Sequence, residues 1–290
     1  MARRRPPTVH GLAVVDKPAG VTSHDVVGML RRRLGERRVG HAGTLDPDAT
    51  GVLLVGVGSV TRLLRFLTAL GKTYTAEVVL GVETSTLDSS GEVTATHDMA
   101  GVTLEKVRHV VATQLVGPIL QVPPMVSALK VGGRRLHELA REGIEVERDP
   151  RPVTIHAFDV DGTDDPLRFR IRVTCSSGTY VRTLAADLGH LLGGGAHLRD
   201  LRRTASGSFD ESEARPPDDA PLLTPSQALR DYPSVVVGAD GADGIRHGRR
   251  LPVWEGAGPW AVVDETGELL AVYERADDET AKAVVVLAGA

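Results

Sequence analysis

Two aspartates, Asp46 and Asp48, flank Pro47 in the segment 40–51, GHAGTLDPDATG. Proline fixes its own φ and pushes the residue before it toward extended backbone, so the Asp46 carboxylate sits on a stiff support. The segment carries neither helical nor strand periodicity and reads as a loop, entered through Gly40 and Gly43 and left through Gly51. A carboxylate held rigidly between two elements can serve as nucleophile or as general acid or base. The run Asp46-Pro47-Asp48-Ala49-Thr50 also fits D-x-D-x-T, the pattern of a magnesium-dependent phosphotransferase whose first Asp accepts the phosphoryl group. That chemistry places its motif directly after an apolar parallel strand, and the preceding GHAGTL is no such strand. A plain Asp-Pro turn is the third reading.

The elements that must position this loop follow from periodicity. Residues 11–15 form a short apolar strand ended by Asp16-Lys17-Pro18-Ala19-Gly20, a Pro/Gly turn. Ser23 is expected to cap a helix whose Val26, Val27, Leu30 and Leu34 recur at helical spacing, with an arginine run on its other face. Residues 51–57 read as a buried strand and 59–70 as a helix. Alternation is clean over 72–80 and again over 167–173, each with one apolar face. Helices are expected over 103–115 and 179–192, the latter closing at Gly193-Gly194-Gly195. Strands that alternate and adjoin without an intervening helix predict an α+β fold with a mixed, mainly antiparallel sheet. The catalytic domain is expected over 1–209, and the acidic, proline-rich stretch 210–231 reads as a linker. Short strands at 234–237, 260–263, 269–273 and 283–287 predict a small β barrel over 232–290, with 264–267 as a hairpin loop.

Charge is divided unevenly along these 290 residues. Residues 210–290 hold 16 acidic and 7 basic side chains, whereas residues 1–209 hold 22 acidic and 27 basic, so a net charge of −4 hides a basic body. Its clusters are arginines: Arg3-Arg4-Arg5, Arg31-Arg32-Arg33 with Arg37-Arg38, Arg134-Arg135, and Arg199 with Arg202-Arg203. A guanidinium binds phosphate bidentately and stacks on bases, so this asymmetry points to a polyanion such as nucleic acid. The lone Cys175 excludes a disulfide framework and suits a reducing, cytoplasmic setting. No apolar run approaches the roughly 20 residues that cross a bilayer, and the opening MARRRPPTVH lacks the apolar stretch of a secretory signal. His190, His197 and His247 share no ligand spacing, and Gly56-Val57-Gly58 lacks the remaining features of a dinucleotide fingerprint. No heptad or large apolar stripe is evident, so a monomer is expected.

Taken in order, several segments resemble one family. GHAGTLDPDATGVLLVGVG is similar to the signature of the TruB-type tRNA pseudouridine-55 synthases, G-H-x-G-x-L-D-P-x-A-T-G-[VM]-L. Asp16–Gly20, Lys72-Thr73-Tyr74, the P-x-[MY]-S-A-[LV]-K stretch at 123–130 and the R-L-x-x-x-A-R helix within 133–141 also match. So do C-S-x-G-T-Y-[IV]-R-T at 175–183 and G-A-H-[LV]-x-x-L-R-R at 195–203, so that the matches span 11–207. The resemblance implies a cofactor-free, metal-free isomerase that flips a T-loop uridine of tRNA and moves its glycosidic bond from N1 to C5. It implies Asp46 as nucleophile, Arg182 as its ion-pair partner, and Tyr74 as a stacking face and proton carrier. Tyr180 and Leu201 would line the uracil pocket, and His41 would enter the space the extruded nucleotide leaves. Lys17 would either support the loop or contact phosphate. Asp48 departs from the family's small or apolar residue. The C-terminal part resembles a PUA-like module, of which only Arg246, His247, Arg249 and Arg250 offer a basic patch. A non-catalytic tRNA-refolding chaperone is the competing reading.

Overall fold

The computed structural model describes residues 6–127 and 129–287. Of the segments singled out above, Arg3-Arg4-Arg5 and Ala128 lie outside the described residues, as do the side chains of Lys130 and Arg135. The α+β architecture expected from the alternating strands is present. A ten-stranded sheet runs Leu222–Leu223, Gly11–Lys17, Thr50–Val57, Ala196–Ser206, Lys72–Leu80, Arg168–Cys175, Arg151–Gly162, Gly117–Gln121, with Val39–Ala42 and Phe209–Asp210 paired alongside. Its pairings are antiparallel except where Ala196–Ser206 meets Thr50–Val57 in parallel. Helix Val181–Leu191 buries Val181, Leu184, Ala185 and Leu188 in the same core as Tyr74, Ala76, Val78 and Ile171. This arrangement excludes the doubly wound sheet that the phosphotransferase reading needs. The strand ahead of Asp46, Val39–Ala42, is antiparallel to Thr50–Val57 and does not lead directly into the aspartate.

Several local expectations are revised. The first helix is capped by Thr22, whose side chain accepts from the Asp25 N–H while Asp25 returns the bond. Ser23 therefore is free for another task, described below. Residues 40–42, expected as the start of the loop, belong to the strand Val39–Ala42 against Thr50–Val57, because Val39 and Ala42 have an apolar face to bury there. The helix expected over 59–70 is a 3₁₀ turn, Gly58–Leu63, leading into Leu64–Ala69. The strand Ala196–Ser206 went unrecognised because two bulges, at Arg199/Arg202 and Arg203/Ala205, break its alternation.

The stretch 210–231 is packed rather than a free linker. Leu222 and Leu223 pair with Ala13 and Leu12, the Asp16 N–H donates to the Arg215 carbonyl at 2.8 Å, and Ala214, Ala220 and Leu229 are buried. Arg33 holds the segment by donating to the carbonyls of Pro217 (2.7 Å) and Ala220 (2.6 Å). Its acidic, proline-rich composition reflects a chain crossing a surface, where proline needs no ladder partner, and not a lack of contacts.

The C-terminal unit is a five-stranded sheet, Ser234–Val236, Trp260–Val263, Leu269–Arg275, Thr280–Val286, Leu251–Pro252, curled into a half-barrel. One face joins the large domain: Val263, Leu269, Val272 and Leu287 pack in one core with Leu12, Val14, Leu63 and Phe66. The Tyr232 hydroxyl donates to the Phe66 carbonyl (2.8 Å) and Arg65 pairs with Glu274 (2.8 Å) across the same seam. The other face buries Trp260, Tyr273 and Ile245. Because 210–230 completes the sheet edge beside Gly11–Lys17, a chain ending at 209 should melt lower than one ending at 230 by more than about 5 °C. Equal melting temperatures in differential scanning calorimetry would mean that the segment is only a tether.

Candidate active site

Asp46 occupies the turn of the loop, where the Ala49 N–H donates to the Asp46 carbonyl at 3.2 Å. Three supports hold that turn. Lys17 is fully buried, and its ammonium donates to the carbonyls of Pro47 (2.8 Å), Val21 (2.6 Å) and Pro18 (2.9 Å). The Gly20 N–H donates to the same Pro47 carbonyl at 3.0 Å. Ser23, released from capping, accepts from the Leu45 N–H (2.9 Å) and donates to the Leu45 carbonyl (3.1 Å). The DKPAG turn and the helix after it are therefore the bed of the DPD loop. All three ammonium protons of Lys17 are directed to carbonyls. Burial brings its pKa down to about 8, against the opposing pull of Asp48 and Asp46.

Arg182 meets Asp46 from the opposite wall. It is the second residue of helix Val181–Leu191 and is buried. A cation at a helix N-terminus opposes the helix dipole, so this placement marks a task other than helix stability. Its Nε lies 3.0 Å from Asp46 Oδ2 and its Nη2 donates to Oδ1 at 3.2 Å, a two-point contact. The remaining donors go to the carbonyls of Thr86 (2.7 Å) and Val126 (2.8 Å), with Asp88 Oδ2 3.5 Å from Nη1. The Arg182 side chain is 5% exposed and that of Asp46 38%, so the carboxylate keeps one open side. Loss of water around Asp46, then the nearby Asp88, raise its pKa; Arg182 and Lys17 oppose that rise without cancelling it.

The Asp46–Arg182 pair stands between two cavities. One, of about 250 Å³, is lined by Tyr74, Lys72, Tyr180, Leu201 and Arg203. The other, of about 320 Å³, is lined by Asp48, Asp88, Ser89, Ser90 and Asp200, and shares Asp46, Arg182 and Leu201. Tyr74 is buried in the first cavity; desolvation raises its phenol pKa, with Arg203 acting against it. Leu201 reaches both cavities because the bulge between Arg199 and Arg202 loops it out, with Asp200 at φ 53°. Tyr180 is set by Gln121, which accepts from its N–H (2.8 Å) and donates to its carbonyl (3.1 Å). His41 does not line the first cavity; it lies on the strand leading into the loop, with a buried, unpartnered Nδ1 and a pKa lowered first by burial and then by Arg203.

Thus Asp46, Tyr74, Tyr180, Arg182 and Leu201 come together from positions up to 155 residues apart in the sequence. Sequence reasoning missed Asp88, Gln121, Ser23's true partner and the inward turn of Arg203. Asp88 sits in the polar run TSTLDSSG, held by Thr86 (2.6 Å) and Ser90 (2.5 Å), and nothing local distinguishes it from a surface turn. Among the described residues no group of three or more His, Cys, Asp or Glu is arranged to hold a metal ion, and no helix is long and apolar enough to cross a membrane.

The overall fold recurs in known proteins. The pseudouridine synthase chain of a solved Cbf5-Nop10-Gar1 complex superposes with a TM-score of 0.73 at 25% identity, over 95% of this chain and 83% of that one. Family models for the N-terminal domain of TruB family pseudouridylate synthase (31–181), the tRNA pseudouridylate synthase B C-terminal domain (182–216) and the tRNA pseudouridine synthase II C-terminal region (232–288) match in succession. The chain belongs to the TruB family of pseudouridylate synthases. It is similar to the tRNA pseudouridine synthase B of Cutibacterium acnes, 48% identical over 279 residues, 93% of this chain and 94% of the relative. That of Symbiobacterium thermophilum is 49% identical over 248 residues, 83% of this chain and 82% of the relative.

Removing the Lys17 ammonium takes one donor from each of three carbonyls, of which Pro47 keeps the Gly20 N–H, so Lys17→Met should destabilise the protein by about 3 kcal/mol or more. Ser23→Ala should cost about 1–2 kcal/mol. Urea unfolding checks both, and a neutral Lys17→Met would remove the loop-bed role.

Proposed function

We propose that this chain isomerises uridine 55 in the T loop of tRNA to pseudouridine, with Asp46 as the nucleophile. The observation that carries this reading is the half-open Asp46 carboxylate, fixed at two points by Arg182 on the wall of a base-sized cavity. An enzyme acting on a base inside a folded loop has to take it out of the stack and hold it in a closed pocket. Tyr74 supplies a flat face there, and Tyr180 and Leu201 complete the walls. The bond from C1′ to N1 breaks, the uracil turns, and a bond from C1′ to C5 forms. C5 gives up a proton and N1 gains one, so the product is an isomer and nothing is oxidised.

Arg182 keeps the carboxylate ionised against desolvation and aims it, since a two-point contact fixes the plane of the carboxylate as well as its distance. The surplus of basic residues in 1–209 supports a tRNA partner engaged through phosphates, with affinity that falls as salt rises. His41, on the strand that enters the loop, is assigned in this reading to fill the gap left by the everted nucleotide. The chain works as a monomer in this reading.

Tritium release from C5 of a tritiated-uridine T-arm RNA, measured in EDTA, tests the proposal. Release is expected in the parent and a loss of at least about 10³-fold in Asp46→Asn. RNA binding without release would leave the chaperone reading, and release abolished by EDTA would require a metal. Because the Asp46 carboxyl titrates above the ordinary carboxylate value of about 3.9, the single-turnover rate should fall with decreasing pH through that higher value. A rate that stays level down to the unperturbed range would count against Asp46 acting as an ionised nucleophile.

For His41→Ala, single-turnover kinetics should slow by about 10-fold or more while tRNA affinity changes by less than about threefold. Equal losses in rate and affinity would argue against the wedge.

A further inference from the structure

Helix Val181–Leu191 begins without a cap of its own. The residue ahead of it, Tyr180, is extended (φ −103°, ψ 105°) and makes no side-chain capping bond, while the Thr179 hydroxyl donates backward to the Ser176 carbonyl at 3.0 Å. A helix end whose first N–H groups lack side-chain acceptors is prone to fray. Fraying matters here because Arg182 is the second residue of the helix and its charge opposes the helix dipole. The anchor comes instead from Gln121, the last residue of the strand Gly117–Gln121 and 2% exposed. Its Oε1 accepts from the Tyr180 N–H (2.8 Å) and its Nε2 donates to the Tyr180 carbonyl (3.1 Å), so the amide pairs with that residue as a neighbouring strand would. The same carbonyl accepts a helical bond from the Leu184 N–H at 3.2 Å. Five residues on from Gln121, the Val126 carbonyl accepts from Arg182 Nη2 (2.8 Å), and the chain between carries the buried Pro123 and Pro124, whose rings fix φ. One short, stiff segment, 121–126, therefore grips both the backbone ahead of Arg182 and the guanidinium itself.

We propose that Gln121 is a positioning residue for the reaction: its hold on Tyr180 sets the depth and rotation of the first helical turn and, through it, the two-point contact of Arg182 with Asp46. The proposal rests on the synthase reading above and adds a residue that lines neither cavity. A two-point contact, 3.0 Å at Nε and 3.2 Å at Nη2, is met over a narrow range of angles, so a small rotation of the turn breaks one bond before the other. The carbonyls of Thr86 and Val126 bond only the terminal nitrogens of Arg182, which leaves the helix backbone to fix where the side chain starts. Charged and titratable groups reach Asp46 from several elements. They are Arg182 on the helix, Asp88 on its turn, Lys17 on the first strand, Tyr74, Lys72 and Arg203 around one cavity, and Asp48, Arg199 and Asp200 around the other. Of these, Arg182 starts from the turn that Gln121 holds, and it is the group that most opposes the rise that desolvation imposes on the Asp46 pKa. Loosening the turn therefore lets that pKa climb further.

The test uses Gln121→Met, which keeps the length and removes both bonds without adding charge, and Gln121→Asn, whose amide is one methylene too short to keep both. In substrate-free protein isotope-labelled at its aspartate carboxyl carbons, the Asp46 resonance, identified by its absence from Asp46→Asn, is followed with pH by NMR. Its midpoint should lie at least about half a pH unit higher in Gln121→Met than in the parent. Single-turnover tritium release should fall by about tenfold to a hundredfold, the scale for a displaced catalytic group, with tRNA affinity within about threefold of the parent. Tyr232→Phe, which loses one hydrogen bond at the seam with the half-barrel, controls for lost stability alone and should leave midpoint and rate unchanged. If Gln121→Met does not fold, Gln121→Asn decides by the same two readouts. An unmoved Asp46 midpoint, an unchanged rate, or a rate loss matched by lost affinity overturns the proposal. Failure of the synthase reading would show differently, as a parent protein that releases no tritium while the Asp46 midpoint still rises in Gln121→Met.

Discussion

A carboxylate and a guanidinium brought together where water is scarce is the constraint on which the rest of this structure depends. Asp46 alone, desolvated beside Asp88, would favour the neutral acid, and Arg182 alone would be a buried charge at the wrong end of a helix. Each makes the other tolerable, but only at a fixed distance and angle. Most of the surrounding polar contacts can be understood as enforcing that geometry. Lys17, Gly20 and Ser23 secure the Asp46 side, and Thr86, Val126 and Asp88 secure the Arg182 side. The lengths of chain between these groups mean that the pair exists only when the sheet is complete.

Cations in the site are held largely by backbone carbonyls. Lys17, Lys72 and Arg203 all donate to carbonyl oxygens, and Arg182 uses two carbonyls besides its carboxylates. Carbonyls satisfy the donors without neutralising the charge. The cations beside the cavity therefore keep their charge. Burial first, and then the Arg203 charge, lowers the pKa of His41 and of Lys72, the latter to about 8.

The half-barrel contributes to the large domain in a different currency. Its inner face is apolar and merges with the core behind the strand Gly11–Lys17, whereas residues 232–290 as a whole hold 10 acidic and 5 basic side chains. Arg246, His247, Arg249 and Arg250 lie exposed around the end of helix Ala239–Arg246, with Arg250 3.6 Å from Asp277, so the basic patch there is small and partly countered. Charge for nucleic acid is concentrated on residues 1–209, and the half-barrel's apolar contact steadies the strand that ends in Lys17.

Local sequence determined the elements whose physics is local. Period-two alternation placed the strands near 72–80 and 167–173, helical spacing placed the helix from Ser23, and Pro47 with its glycines marked the stiff loop that carries Asp46. Motif resemblance picked out Asp46, Tyr74, Tyr180, Arg182 and Leu201, which the fold gathers at one cavity. What only tertiary structure decided was which polar groups lose water and which neighbours they meet. Arg203 and Lys17 look like surface cations in sequence and are among the most buried side chains, because carbonyls from remote segments replace their solvent. Leu201 faces the site through a bulge that breaks the alternation by which strands are recognised, and 210–231 packs as a sheet edge although its composition is that of a tether. Burial and pairing over a hundred or more residues are properties of the closed sheet, and no local window contains them.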